Sequence, residues 1–348
     1  MLPRERVRRA IDFRAPDKLP LRIFPAPGGV YQYGARLLDL IRGTGHDFGD
    51  LAQATYDTIV RDPPTANEFD CEGRYHTRKT DEWGTLWEYR IYGIWGHPVE
   101  WPLEDFARLD SYRPPAPPIL LGDELRREVV RSAAHRERYY LLRPGGSLFE
   151  RMHSLRRFEL VLMDIGTDAP EINRLADMIV ENMRGWVEFA LASGTDGVTF
   201  GDDFGMHSRM MISPSAWRRF FKPRYKLLFD PVRQAGKRVF FHCCGWIEPI
   251  LEDLREIGVD VLWPQLSVYN LPNLARHCRA LGLALELHPD RGDLMQRHGA
   301  EQVRLYLQRL VETFRCEQGG SWLYVEVDPG FAAANIEMLF RTVQEMRA

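Results

Sequence analysis

The sequence predicts a single (β/α)8 barrel of the TIM type spanning residues 1–348, with an aromatic-rich insertion in its N-terminal third. Three observations carry that expectation. Short β-rich runs recur along the chain, and each is followed by a helical pattern. Several of these runs are almost wholly apolar, as parallel strands covered on both faces must be. No G-x-G-x-x-G follows the first run, which disfavours an open dinucleotide-binding sheet.

In chain order the first run is K-L-P-L-R-I-F at 18–24 and the next is R-Y-Y-L-L-R-P at 138–144. The alternation then becomes regular, with D-G-V-T-F-G at 196–201, R-V-F-F-H at 238–242 and V-D-V-L-W-P at 259–264. L-A-L-E-L-H at 283–288 and W-L-Y-V-E-V at 322–327 bring the number of visible strands to seven; the eighth has no clear place. Between them lie helix signals. Ser213-Pro214 sets an N-cap and a first-turn proline before S-A-W-R-R-F-F. P-I-L-E-D-L-R-E-I-G puts Ile250, Leu254 and Ile257 on one face and closes at Gly258. L-P-N-L-A-R-H-C-R-A-L-G closes in the same way at Gly282, and 299–314 and 335–346 are further amphipathic stretches.

Residues 60–118 interrupt this rhythm. The stretch D-E-W-G-T-L-W-E-Y-R-I-Y-G-I-W-G-H-P-V-E-W-P-L alternates, is rich in Trp and Tyr, and runs on into the proline-rich Y-R-P-P-A-P-P. It is expected to form a hairpin near one end of the barrel followed by a loop, serving either as an aromatic wall for a flat ligand or as a small satellite core.

Composition narrows the function. With 45% hydrophobic residues, 27% charged residues and a formal net charge of −3, the chain has ordinary globular make-up. Nothing in that balance calls for nucleic acid or an anionic membrane as partner. No run approaches the roughly 18 apolar residues that span a bilayer. The basic start M-L-P-R-E-R-V-R-R-A-I-D-F is not followed by the apolar core of a signal peptide, so a cytoplasmic location is the expectation. The five cysteines, Cys71, Cys243, Cys244, Cys278 and Cys316, form no disulfide framework and no C-x-x-C pair.

The chemistry of a parallel barrel gathers at the C-terminal ends of its strands. Here those ends read Gly201-Asp202-Asp203, His242-Cys243-Cys244, Gln265, His288-Pro289-Asp290 and Glu326-Val327-Asp328. Apolar strands that repeatedly end in carboxylates, imidazoles and thiols describe an active-site mouth. His242 and Cys244 are two apart, which on an extended segment places both side chains on one face and Cys243 on the other. Imidazole and thiolate are zinc donors, and an open zinc site needs three protein ligands. For the third, Glu326, Asp328 and His288 are candidates, and Glu326 is preferred. Cys316 follows the helix expected at 299–315 and so belongs at the opposite end of its strand. Of the adjacent aspartates, Asp203 is expected to face the mouth and Asp202 to pack or cap, with Asp203 and His288 shaping the substrate site as catalytic candidates.

The stretch from G-D-D-F-G-M-H through I-S-P-S-A-W, K-P-R-Y, F-H-C-C-G-W and I-G-V-D-V-L-W-P-Q resembles the uroporphyrinogen decarboxylase superfamily. R-E-R-V-R-R-A-I-D-F-R-A-P-D-K-L-P-L, T-D-E-W-G-T-L-W-E-Y, S-L-F-E-R-M-H-S-L-R-R-F and N-I-E-M-L-F extend the likeness over nearly the whole chain. It implies a single (β/α)8 barrel. L-R-I-F-P-A-P-G-G-V-Y-Q-Y-G-A-R stands where decarboxylases of uroporphyrinogen carry an arginine-rich M-R-Q-A-G-R-Y, and it lacks that cationic cradle. The corrinoid-linked methyltransferase branch is similar at H-x-C-G, where the resemblance makes His242 and Cys244 zinc ligands. That branch has a further cysteine near the last strand, whereas the position here falls near Val325 or Glu326. The implied function is a zinc-dependent methyltransferase that moves a methyl group between a small methylated oxygen or nitrogen compound, or a thiol, and a corrinoid carried by a partner protein. Two alternatives stand beside it. One is a metal-free lyase acting on a small carboxylic acid through Asp203 and cations such as Arg143. The other is a non-catalytic corrinoid- or tetrapyrrole-binding protein.

Overall fold

A computed structural model describes residues 1–118 and 122–348. Each apolar run of the sequence becomes a strand: β1 (Leu21–Phe24), β5 (Leu142–Gly146), β6 (Gly197–Gly201), β7 (Arg238–Cys243), β8 (Val261–Pro264), β9 (Ala284–Leu287) and β10 (Ser321–Glu326). They pair in parallel in the order β1-β10-β9-β8-β7-β6-β5. The helices that follow the strands end where their local sequence says they should. The Ser213 hydroxyl accepts the N–H of Ala216 ahead of Pro214–Phe220, and the Asn270 side chain accepts that of Asn273 at the start of Leu271–Leu281. Gly282, at φ 64°, terminates the latter in the left-handed conformation that glycine adopts most cheaply.

Side chains alternate across the sheet. Val239, Phe241 and Cys243 pack outward under the helices, while Phe240 and His242 point into the curl. At the N-terminal end of the strands the helix Pro3–Ile11 lays Val7, Ala10 and Ile11 on Tyr140, Phe240, Val261, Ala284 and Trp322. This layer stoppers the sheet from below.

The expectation of eight strands is corrected to seven among the described residues, since no strand stands between the edges β1 and β5. Asp47 bridges that seam. Its N–H donates to the Leu21 carbonyl at 2.9 Å, and its own carbonyl accepts the N–H of Tyr140 at 3.0 Å. Its carboxylate, fully buried, accepts the Leu21 N–H at 2.8 Å, Arg6 Nη1 at 2.5 Å and Arg347 Nη1 at 2.9 Å. The surrounding G-H-D-F-G carries two glycines and too few apolar residues for a strand, so a side chain supplies a ladder bond that a strand would have supplied.

Between β1 and β5 the chain makes an excursion that contains β2 (Thr77–Thr80), β3 (Leu86–Tyr89) and β4 (His97–Glu100), an antiparallel sheet in that order. It has three strands where a two-stranded hairpin was expected. Pro98, which cannot donate to a ladder, sits on the edge strand β4. Its aromatic residues divide between two roles. Trp83 is buried beneath Arg151, and Tyr112 donates to its carbonyl, as in a satellite core. Tyr92 meets the Tyr31 ring at a tilt and the Tyr75 ring edge-on, beside the helix Pro27–Thr44 that follows β1, and Trp95 is 82% exposed. No helix among the described residues is long and apolar enough to cross a membrane.

Candidate metal centre

At the end of β6 the two aspartates part. Asp202 is buried and turns back to cap the helix Phe149–Leu155, its carboxylate accepting the N–H groups of Leu148, Phe149 and Glu150 at 2.8–2.9 Å. Asp203 faces the mouth, and its Oδ1 accepts the N–H of Cys244 at 2.8 Å.

At the end of β7 the imidazole of His242 lies on the Trp263 ring, with centroids 4.1 Å apart, and its Nδ1–H donates to the Trp263 carbonyl at 2.9 Å. That bond leaves the Nε2 lone pair directed outward, 3.4 Å from Cys244 Sγ and 3.6 Å from Asp203 Oδ1. The potential ligand atoms of Asp203, His242 and Cys244 lie within 4.8 Å of one another. Burial drives the His242 imidazole towards its neutral form against the pull of Asp203. Burial, reinforced by Asp203, pushes the Cys244 thiol up to about 12. Cys243 takes the opposite face: its sulfur is buried, accepts the Phe204 N–H and donates to the Cys244 carbonyl, both at 3.3 Å.

Two glycines make this arrangement possible. The loops after β6 and β7 touch backbone to backbone, and a Cβ on Gly245 would stand 2.0 Å from the carbonyl carbon of Gly205. Gly245 also has φ 76°, in the left-handed region. The Gln265 side chain, at the end of β8, accepts the Gly245 N–H at 2.8 Å and so supports the loop.

The remaining candidates stand apart from the cluster. Glu326, expected as the third ligand, is engaged elsewhere: its carboxylate accepts Tyr324 Oη at 2.8 Å and pairs with Arg291 at 3.0 Å. The same guanidinium holds Asp328 at 3.2 Å, so the two carboxylates of this strand end share one cation. Asp203 is the carboxylate that stands beside His242 and Cys244, held there by its bond to the Cys244 N–H across the two loops. His288 is buried, its Nδ1–H donates to the Pro289 carbonyl at 2.5 Å, and its Nε2 has no partner among the described residues. Burial and then Arg291 push its imidazole down to about 3, so it stays neutral. Cys316 is buried at the far end of β10, beside Ser321. Arg143, the cation of the lyase reading, leaves the barrel interior altogether: its guanidinium pairs with Glu128 and Ser132 and lies over the Phe189 ring.

Three residues near the site were not singled out from the sequence. Glu150, whose backbone is capped by Asp202, sits close enough to the cluster to act on the charge of His242 and Cys244. Burial raises its carboxyl, but the His153 imidazole at 3.0 Å outweighs that and holds it below the ordinary range. The i, i+3 spacing of Glu150 and His153 was the available signal. Arg22 and Glu286 form an ion pair at 3.0 Å across the curl of the sheet. Each is the lone charge in an otherwise apolar strand, and the opposite signs could have been matched.

Fold and site together define a parallel α/β half-barrel with a three-donor cluster at its C-terminal mouth. Residues 146–284, the stretch that holds Asp203, His242 and Cys244, match the model of the uroporphyrinogen decarboxylase (URO-D) family. The whole fold is similar to that of a methyltransferase from Methanosarcina mazei, with a TM-score of 0.66 at 13% identity over 99% of both chains. A dihydropteroate synthase from Xanthomonas albilineans, bound to 4-aminobenzoic acid, overlaps 46% of this chain and 58% of its own at a TM-score of 0.32 and 17% identity. No curated protein sequence matches.

Proposed function

We propose that the protein is a zinc-dependent methyltransferase acting between a small methylated compound and a corrinoid on a partner protein. One observation carries the reading. An imidazole, a thiol and a carboxylate converge within 4.8 Å at the mouth of a parallel sheet. That donor set suits zinc, and three protein ligands leave a position open for substrate. His242, Cys244 and Asp203 would hold the ion. Bound zinc supplies a Lewis acid beside the methyl-bearing atom.

The chain's own residues prepare this site. The Trp263 carbonyl fixes the His242 tautomer, and the Cys244 N–H fixes the Asp203 carboxylate. One nitrogen, one oxygen and a single sulfur make a less thiophilic site than a sulfur-rich one, which favours a methylated oxygen or nitrogen compound over a thiol. The fold likeness to the Methanosarcina mazei methyltransferase and the H-x-C-G resemblance support the reaction class. A corrinoid macrocycle exceeds the barrel cavity of about 260 Å³, so on this reading a corrinoid would meet the substrate at the open mouth. The lyase reading is weakened by the outward course of Arg143.

Metal analysis of the purified chain tests the proposal. Wild type is expected to carry stoichiometric zinc, and His242→Ala, Cys244→Ala and Asp203→Ala to lose it. A zinc-free wild type after expression in zinc-replete medium ends this reading.

A further inference from the structure

Below the cluster the core of the barrel is not filled. A cavity of about 260 Å³ runs down from His242, bounded by Thr199 and Gly201 on one side and Trp263 on the other. It exists because β5 and β6 present small inward residues while β7 and β8 present large rings. The wall is mostly apolar, and the floor is the ion pair of Arg22 and Glu286.

The two charges of that pair are not presented equally. The Glu286 side chain is 2% exposed, and its other oxygen accepts the Trp322 indole N–H at 3.0 Å. The Arg22 side chain is 22% exposed. The layer of Tyr140, Phe240 and Trp322 closes the barrel underneath, so the exposure of Arg22 is towards the cavity it lines. Its guanidinium lies between the Phe48 and Tyr324 rings, 5.5 and 5.3 Å from their centroids, and a single N–H reaches a partner among the described residues. The floor therefore offers oriented donors with the matching acceptor packed away. An arginine fork presented in this way suits a carboxylate.

We propose that this cavity binds a small organic carboxylate, its carboxylate on Arg22 and its apolar body reaching up to the Asp203–His242–Cys244 cluster. The proposal rests on the methyltransferase reading and names its substrate class: a methylated carboxylic acid of about one ring's bulk, with the methylated atom at the mouth.

Calorimetric titration of the full chain with 4-methoxybenzoate and 4-methoxybenzamide tests it. The acid is expected to bind about tenfold tighter or better, as one charge-assisted hydrogen bond implies. The double variant Arg22→Met/Glu286→Gln removes both charges together, leaves neither unpaired, and is expected to bind acid and amide alike. Thr199→Leu fills the cavity without touching the pair and is expected to abolish binding of both. Equal binding of acid and amide by wild type, or a preference that survives in either variant, overturns the proposal. Repeating the titration on zinc-free protein separates the two claims. Acid preference in a wild type that takes up no zinc in zinc-replete medium keeps the carboxylate site while the metal reading falls, and zinc binding without acid preference removes the carboxylate site alone.

Discussion

The Asp203 carboxylate accepts the backbone N–H of Cys244 at 2.8 Å, although the two residues are 41 apart in the chain. One loop thus supplies an oxygen donor, and the other fixes where it points. The relationship ranks the carboxylates of the mouth: Asp203 stands beside the imidazole and thiol, whereas Glu326 is spent on Arg291 and Tyr324.

Zinc affinity is expected to follow that ranking. Asp203→Asn keeps an oxygen for the Cys244 N–H but removes the anionic ligand, and should weaken zinc binding at least roughly tenfold. Glu326→Gln should leave it within about threefold, because Glu326 offers no ligand atom to the cluster and reaches it only through the charge of Arg291. Competition against a chromophoric chelator measures both. The reverse order would restore Glu326 as the ligand.

The Gly205–Gly245 contact is the second point of leverage. Gly245→Ala adds a methyl group into the opposing backbone at a φ of 76°, and should cost about 2 kcal/mol or more. Gly205→Ala meets the same crowding without a left-handed φ, and should cost less. Urea denaturation compares the two. Because the contact positions Asp203, both variants should also lose zinc affinity, which a purely local packing defect would not cause.

Acid stability provides a third measurement, at a site remote from the cluster. Burial pushes the His46 imidazole down to about 4, with Asp47, Arg22, Arg347 and His135 as its charged surroundings. Its Nδ1 accepts the Ile23 N–H at 3.2 Å, so the neutral ring is the one that fits β1. Unfolded, the ring takes up a proton below about pH 6.5; folded, it does so only near pH 4. The unfolded state therefore binds more protons in that window, and stability falls as pH drops through it, by on the order of 2–3 kcal/mol. His46→Asn offers an acceptor of similar reach without the titration. Its stability should fall less between pH 6.5 and 4 than that of wild type, and parallel curves would refute the assignment.

Much of this protein was legible before its fold was known. The seven parallel strands follow from apolar runs that lie within a few residues of their observed bounds, because a strand buried on both faces has little freedom in composition. The two-residue spacing of His242 and Cys244 places them on one face by strand geometry alone, and Cys243 is buried on the other.

What the sequence could not contain were relationships across the barrel. Asp203 joins the cluster through contact between two loops, and Glu326 is withdrawn from it by a guanidinium thirty-five residues earlier in the chain, at Arg291. Asp47 replaces a strand's ladder with its own N–H, carbonyl and buried carboxylate, which no pattern of apolar residues announces. Local sequence determined which side chains could reach the mouth, since periodicity acts over neighbouring residues. Only tertiary structure decided which of them met, since hydrogen bonds and ion pairs depend on distances set by how the sheet curls.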